Sequence, residues 1–199
     1  MLDLPLTQLH RWRETHDHLA VAVNLSVTNL LDAALVAHIA TRLDAHGVPA
    51  DALILEITEG MLISERERSR SVGEALKTLG VKLSIDDFGT GWSSLARLQE
   101  MTVDELKLDG VFVERLANEP RSIANVRSTV ALAHSLGASL VAEGVEDDAT
   151  LGALRRYGCS ITQGFVHTPP LPADELLKWM ATCTPQMPRR DLALHPELR

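Results

Sequence analysis

Residues 81–91 read V-K-L-S-I-D-D-F-G-T-G: a short run of strand type, two adjacent carboxylates, and a loop flanked by glycines. Successive strand residues point to opposite faces, so Val81, Leu83 and Ile85 share one side while Lys82, Ser84 and Asp86 share the other. The apolar set can cover a helix layer, and the polar set can look into a cavity. The same plan recurs along the chain, where a short apolar run ends in one polar residue and a helical stretch follows. The endings are Asn24 after V-A-V, Glu56 after L-I-L, Asp86 with Asp87, Lys107 after E-L, Glu143 after L-V-A, and Gln163 after C-S-I-T.

Strands alternating with helices predict parallel strands joined by right-handed crossovers. An open doubly wound sheet concentrates its ligand contacts at one switch point, whereas a closed barrel draws functional groups from many strand ends. Six such ends favour an α/β fold, a (β/α) barrel of the TIM type. Barrels of this type have eight strands in about 250 residues. The 199 residues here supply about six strands, so the barrel is expected to be incomplete.

The periodicity predicts strands near 21–26, 53–57, 81–86, 103–108, 139–143 and 160–164. Helices are expected near 5–18, 29–46, 64–79, 93–99, 119–136, 147–157 and 173–182. One domain over residues 1–183 is expected, followed by a poorly packed tail at 184–199 with three prolines.

Apolar residues make up 45% of the chain, enough for a globular core. A net charge of −8 argues against DNA or RNA as partner, because a phosphate backbone is held mainly by Lys and Arg. It leaves room for a small phosphorylated ligand, since a bound cation can supply positive charge. No run of eighteen apolar residues occurs, and M-L-D-L-P-L-T lacks the pattern of a signal peptide, so no membrane partner is expected. Cys159 and Cys183 have no metal-type spacing and read as free thiols of a cytoplasmic protein.

Glu56, Asp86, Asp87 and Glu143, with Asn24, form an all-oxygen set suited to Mg2+, Mn2+ or Ca2+ rather than zinc. Four carboxylates in one cavity repel strongly, so cations or protons are required. Lys107 would face an anionic group or orient an attacking water. Taken singly, each residue has a plainer reading. Asp87 and Thr90 form turns, Ser93 caps a helix, and Glu59 sits favourably in a first helical turn. Lys107 pairs with an acid, Asn24 bonds a loop, and Glu146 or Asp147 caps a helix. Their joint occurrence at strand ends is what points to a site.

These motifs resemble the EAL domain family, the bacterial cyclic di-GMP phosphodiesterases. The match runs in order through V-N-L-S (23–26), L-E-I-T-E (55–59), D-D-F-G-T-G (86–91), S-S-L (93–95), E-L-K-L-D (105–109), V-A-E-G-V-E (141–146), Q-G-F (163–165) and P-L-P (170–172). The resemblance implies a barrel that hydrolyses cyclic di-GMP to linear pGpG with Mg2+ or Mn2+. It implies that Asn24, Glu56 and Asp86 are metal ligands, with Asp87 on the side of a second metal. Lys107 would hold the nucleophilic water, and Glu143 would be a further ligand or a base. Glu59 would anchor the D-D-F-G-T-G loop, Asp109 would join the Lys107 network, and Glu146 and Gln163 would line the site. Cyclic di-GMP, a second copy of the chain and an upstream regulatory domain are the partners so implied.

One departure matters. No E-A-L tripeptide with its following Arg stands on a strand ahead of V-N-L-S; Asp51-Ala52-Leu53 opens a later strand, and Glu74-Ala75-Leu76, followed by Lys77 and Thr78, falls in the helix expected at 64–79. The expectation is therefore a domain without its first strand and helix, with one Glu ligand fewer and an open barrel wall. Loss of a metal ligand lowers rates on the order of 100-fold, so the isolated chain is expected to be weak or inactive. Trp92 replaces a more usual Tyr, a milder change. The alternative is a non-catalytic EAL-like module that binds cyclic di-GMP or a protein. A generic Mg2+-dependent barrel acting on carboxylates would share the acidic pocket but not the ordered motifs.

Overall fold

A computed structural model describes residues 2–90, 98, 101–114, 116 and 119–182, with side chains at all of these except 62, 63 and 66. Six strands form one sheet: β1 (Val21–Asn24), β2 (Leu53–Thr58), β3 (Lys82–Phe88), β4 (Glu105–Leu108), β5 (Ser139–Ala142) and β6 (Ile161–Thr162). Each pairs in parallel with the strand before it, in the order β1-β2-β3-β4-β5-β6. No reversal of order occurs, so there is no switch point, and the sheet curls as an incomplete (β/α) barrel. β1 and β6 are its two terminal strands.

The helices are α1 (Asp3–Arg13), α2 (Val27–Leu31), α3 (Leu35–His46), α4 (Glu59–Ser64), α5 (Arg66–Leu79), α6 (Gly110–Glu114), α7 (Pro120–Leu136), α8 (Asp148–Arg156) and α9 (Ala173–Thr182). The chain divides into a compact unit over residues 1–169 and a second over 170–199, whose described helix is α9. No described helix is long and apolar enough to cross a membrane.

Alternation decides which face of the sheet is covered. Leu53, Leu55 and Ile57 of β2, Leu83 and Ile85 of β3, and Leu106 and Leu108 of β4 are all buried. They share one core with Val72 and Leu76 of α5, Val126 and Ala133 of α7, and Leu154 of α8. Each fully buried leucine contributes about 1.5–3 kcal/mol relative to exposure. The opposite face carries Glu56, Ser84, Asp86 and Lys107.

Four elements differ from expectation, one being α4, a separate short helix ahead of the one expected at 64–79. The helix expected at 29–46 is two helices, because Asp32 turns extended after Leu31 and its Oδ1 accepts from the Ala34 amide at 2.9 Å. The freed carbonyls at the end of α2 are taken by Arg68, which donates to Leu30 O at 2.9 Å and Asp32 O at 2.6 Å. α1 stops at Arg13 rather than near 18, where the Leu19 amide turns back onto His16 O. The short α6 shows no apolar rhythm in sequence; Asp109 starts it by accepting from the Val111 amide at 2.8 Å. The expected helix at 93–99, the S-S-L motif, Trp92, Cys183 and the tail at 184–199 lie outside the described residues, apart from buried Leu98. Cys159 is a buried free thiol whose pKa burial pushes up.

Two glycines make opposite demands. A Cβ on Gly164 would lie 2.2 Å from Val145 O and 2.4 Å from Val145 N, an overlap with main chain that cannot swing aside. A Cβ on Gly73, inside α5, would meet Leu83 Cδ2 at 3.5 Å, ordinary contact. Gly73→Ala is therefore expected to stabilise the fold by about 0.5–1 kcal/mol, through reduced chain entropy. Gly164→Ala is expected to destabilise it by about 3 kcal/mol. Urea midpoints of the two variants should move in opposite directions; movement in the same direction would contradict this packing.

Candidate active site at the strand ends

The C-terminal ends of the strands converge on one ammonium group. Lys107 Nζ lies 2.7 Å from Glu143 Oε1, 2.9 Å from Glu56 Oε1 and 3.0 Å from Asp86 Oδ1. The acids come from β2, β3 and the residue after β5, so three separate crossovers deliver them to the side chain of β4. Lys107 and Glu56 are each 8% exposed at the side chain. Burial by itself would lower the pKa of Lys107, but hydrogen bonds to Glu143, Glu56 and Asp86 outweigh it and hold the ammonium well above its ordinary range. Burial raises the Glu143 carboxyl, and the bond from Lys107 opposes that rise.

A bulge makes the two consecutive aspartates useful together. β3 pairs Ile85 with Leu106 and then Phe88 with Leu108, three residues against two. In a regular pleat Asp86 and Asp87 would point to opposite faces. Asp87 instead takes φ 56°, a left-handed conformation that Asp tolerates better than most residues. As a result, oxygens of Asp86, Asp87 and Glu143 lie within 4.8 Å of one another. Desolvation, then the Asp86 and Asp109 charges, raise the Asp87 carboxyl.

The loop after the bulge is anchored from below. Buried Glu59, first residue of α4, accepts from the Gly89 amide at 2.9 Å. The Gly110 and Gly144 backbones meet so closely that a Cβ on Gly144 would lie 3.1 Å from Gly110 Cα, which brings the segments after β4 and β5 side by side. Asn24 stands opposite Glu56 in register and is exposed. Asp109 lies just past β4 and spends Oδ1 on α6, so it reaches the cluster through its charge on Asp87. Glu146 and Gln163 are exposed beyond β5 and β6; the Gln163 main chain bonds Ala142 O and the Val145 amide. Two cavities of about 510 and 440 Å³ lie instead on the α1 and α3 side and include none of these residues.

The donor set fits a hard divalent cation. It is all oxygen, and its 4.8 Å spread matches opposed ligands around a Mg2+, Mn2+ or Ca2+ ion. Lys107 takes one oxygen each from Glu56, Asp86 and Glu143, so the second oxygen of each remains available. Four carboxylates against one ammonium also leave negative charge for a cation to offset.

Sequence reasoning passed over Glu105. Ser84, fully buried, donates to Glu105 Oε1 at 3.0 Å, one layer below Lys107 on the same face. The signal was there, because Ser84 and Glu105 precede Asp86 and Lys107 by two residues on their strands. Desolvation raises the Glu105 pKa, the Ser84 bond lowers it, and the Glu56 charge raises it again.

Two outcomes follow from this charge layout. Lys107→Met leaves three buried acids facing one another and is expected to cost about 3–5 kcal/mol in metal-free buffer at pH 7.5. Added Mn2+ should raise the melting temperature of that variant more than that of the parent, because the cation replaces the lost charge; an equal shift would count against the site. Glu105→Gln should behave oppositely. A raised folded pKa means that ionised Glu105 lowers stability at high pH, and protonation relieves this as pH falls through the folded value. Glu105→Gln should thus be more stable than the parent at pH 8 and lose that advantage by about pH 4, near the unfolded value.

Comparison with known proteins agrees with this fold. Residues 1–170 match the family described as EAL domain. The chain is 40% identical over 159 residues to the cyclic di-GMP phosphodiesterase RocR of Pseudomonas aeruginosa, covering 80% of this chain and 41% of RocR. The solved PaMucR phosphodiesterase in complex with c-di-GMP superposes with a TM-score of 0.84 at 39% identity, covering 88% of this chain and 71% of that one. A manganese and cyclic di-GMP complex of Klebsiella pneumoniae BlrP1 gives 0.76 at 31% identity, covering 85% and 44%. The chain spans between 21% and 41% of the length of the curated relatives it matches first. The ordered motifs, the sequential parallel sheet and the family match lead to one conclusion: the chain belongs to the EAL domain family.

Proposed function

We propose that the strand-end cluster hydrolyses a phosphodiester bond of cyclic di-GMP, giving linear pGpG, with Mg2+ or Mn2+ as cofactor. The observation that carries this reading is the convergence of Glu56, Asp86 and Glu143 on Lys107, with Asp87 turned into the same space by the bulge. The relatives named as cyclic di-GMP phosphodiesterases, and those solved with that ligand, support the substrate. A bound divalent ion would polarise the phosphoryl oxygens and lower the pKa of a water.

The remaining work falls to the chain's own side chains. Asn24, Glu56 and Asp86 are assigned as ligands, and Asp87 as the ligand toward a second ion. Lys107 stays protonated throughout the working pH range, so it can orient the attacking water and offset charge that grows on phosphorus. Glu143, with its raised pKa and its bond to Lys107, suits a proton acceptor or a further ligand. Glu59 holds the D-D-F-G-T-G loop through Gly89, and Asp109 tunes Asp87 by its charge. Glu146 and Gln163 stand at the rim beyond β5 and β6, where a dinucleotide extending from the metals would pass. The buried free thiol of Cys159 fits a cytoplasmic setting. The greater length of the relatives supports a regulatory partner domain, and the exposed ends of the sheet leave room for pairing with a second copy.

A second reading has its own support. No E-A-L with a following Arg stands ahead of V-N-L-S, Glu74-Ala75-Leu76 being part of α5, and β1 pairs with β2 alone among the described strands. A ligand set of Asn24, Glu56, Asp86 and Asp87 alone would suit a module that binds cyclic di-GMP without turnover. Purified chain incubated with cyclic di-GMP and Mn2+ is expected to yield pGpG slowly, and Asp86→Asn should reduce that yield by about 100-fold. Binding without any pGpG, equal in parent and variant, would select the binding module. Rapid hydrolysis that Asp86→Asn leaves untouched would place the chemistry elsewhere.

A further inference from the structure

The assigned ligands are not held equally. Lys107 fixes Glu56, Asp86 and Glu143, each by one short contact, and the bulge in β3 fixes Asp87. Asn24 lies outside that group. It ends β1, a terminal strand that pairs on one side only among the described strands, and it is exposed. An edge position of this kind is the least constrained place in a sheet. A ligand there needs its placement from elsewhere.

The chain that follows Asn24 supplies it. The Leu25 amide donates to Glu56 O at 2.8 Å, which keeps Asn24 level with Glu56. The Asn29 amide then donates to Ser26 Oγ at 3.2 Å and starts α2. Buried Leu25 and Leu30 seat this segment on the core. α2 has only five residues, too few for a helix to hold itself in water. Its far end is closed from outside. Arg68 of α5 donates through Nε to Leu30 O at 2.9 Å and through a terminal nitrogen to Asp32 O at 2.6 Å. Those carbonyls form the negative end of α2, so the guanidinium satisfies hydrogen bonds and charge together. α5 lies after β2 in the chain, so the clasp ties the segment leaving β1 to a helix that follows the strand of Glu56. Asn24 thus precedes a segment fastened at both ends, by the β2 register and by Arg68.

We infer that Arg68 is a positioning residue for Asn24: by clasping the end of α2 to α5 it fixes the segment leaving β1, and with it the ligand oxygen of Asn24 beside Glu56. The inference rests on the proposed ligand set and adds what holds its least supported member. A group that orients a metal ligand from behind is felt in metal affinity, commonly by about 10-fold to 100-fold. A group that merely stabilises the fold lowers affinity equally whether or not the ligand is present. The two roles therefore separate when Asn24 is removed.

The test is calorimetric titration of the full 199-residue chain with Mn2+, using parent, Arg68→Ala, Asn24→Ala and the double variant. Each single variant should bind Mn2+ about 10-fold more weakly than the parent, or worse. The double variant should stay within about twofold of Asn24→Ala, because the clasp then has no ligand left to place. Arg68→Lys offers one ammonium for two carbonyls and should fall between parent and Arg68→Ala. It carries the same cycle if Arg68→Ala does not melt cooperatively. Parent-like affinity in the folded Arg68 variants, or losses that simply add in the double variant, overturns the positioning role and leaves the ligand assignment standing. A parent that takes up no Mn2+, or Asn24→Ala with parent affinity, overturns the assignment of Asn24 itself, and this inference with it.

Discussion

Lys107 is the charge on which the centre depends. A low-dielectric pocket cannot hold Glu56, Asp86 and Glu143 together as anions without compensation, and these acids arrive from three different strand ends. The ammonium allows them to be buried within one hydrogen-bonding distance of a common point. The arrangement binds the barrel wall laterally, since β2, β3, β4 and the exit from β5 are all tied to one atom. The same contact prepares the chemistry, because it leaves a preformed set of oxygen donors and a fixed positive group at the place where a phosphate would sit.

The bulge in β3 is the second constraint. Two adjacent strand residues ordinarily serve opposite faces, so a pair of aspartates would contribute only one carboxylate to any pocket. One extra residue against β4 and a left-handed Asp87 recover the second. Glu59, from the neighbouring helix, fastens the start of the loop that follows at Gly89. Backbone irregularity, acid placement and loop anchoring are thus one device built across β2, β3 and α4.

The fold was largely legible because alternation and periodicity are local properties. The apolar faces of β2, β3 and β4 could be read from spacing alone, and the one-polar-residue endings marked which end of the sheet would be chemical. What could not be read depends on through-space partners. The break at Asp32 follows from Arg68, more than thirty positions away, claiming the carbonyls of α2. The bulge at Asp87 shows only against the register of β4, and α6 is too short to carry a rhythm. Glu105 shares a face with Lys107, but its partner Ser84 lies across the β3–β4 register and comes from no local pattern.

Sheet order equal to chain order has a bearing on biosynthesis. A nascent chain lays down Glu56 and Asp86 well before Lys107, and Glu143 last of the four. Until β4 emerges from the ribosome, the two early acids share an unfinished wall with no cation from this cluster between them, and so have reason to stay hydrated. Docking of β4 brings the lysine, and only then does closing that wall become favourable. The centre is therefore the last part of this wall to be completed, when Glu143 at the exit from β5 joins the acids already gathered on Lys107.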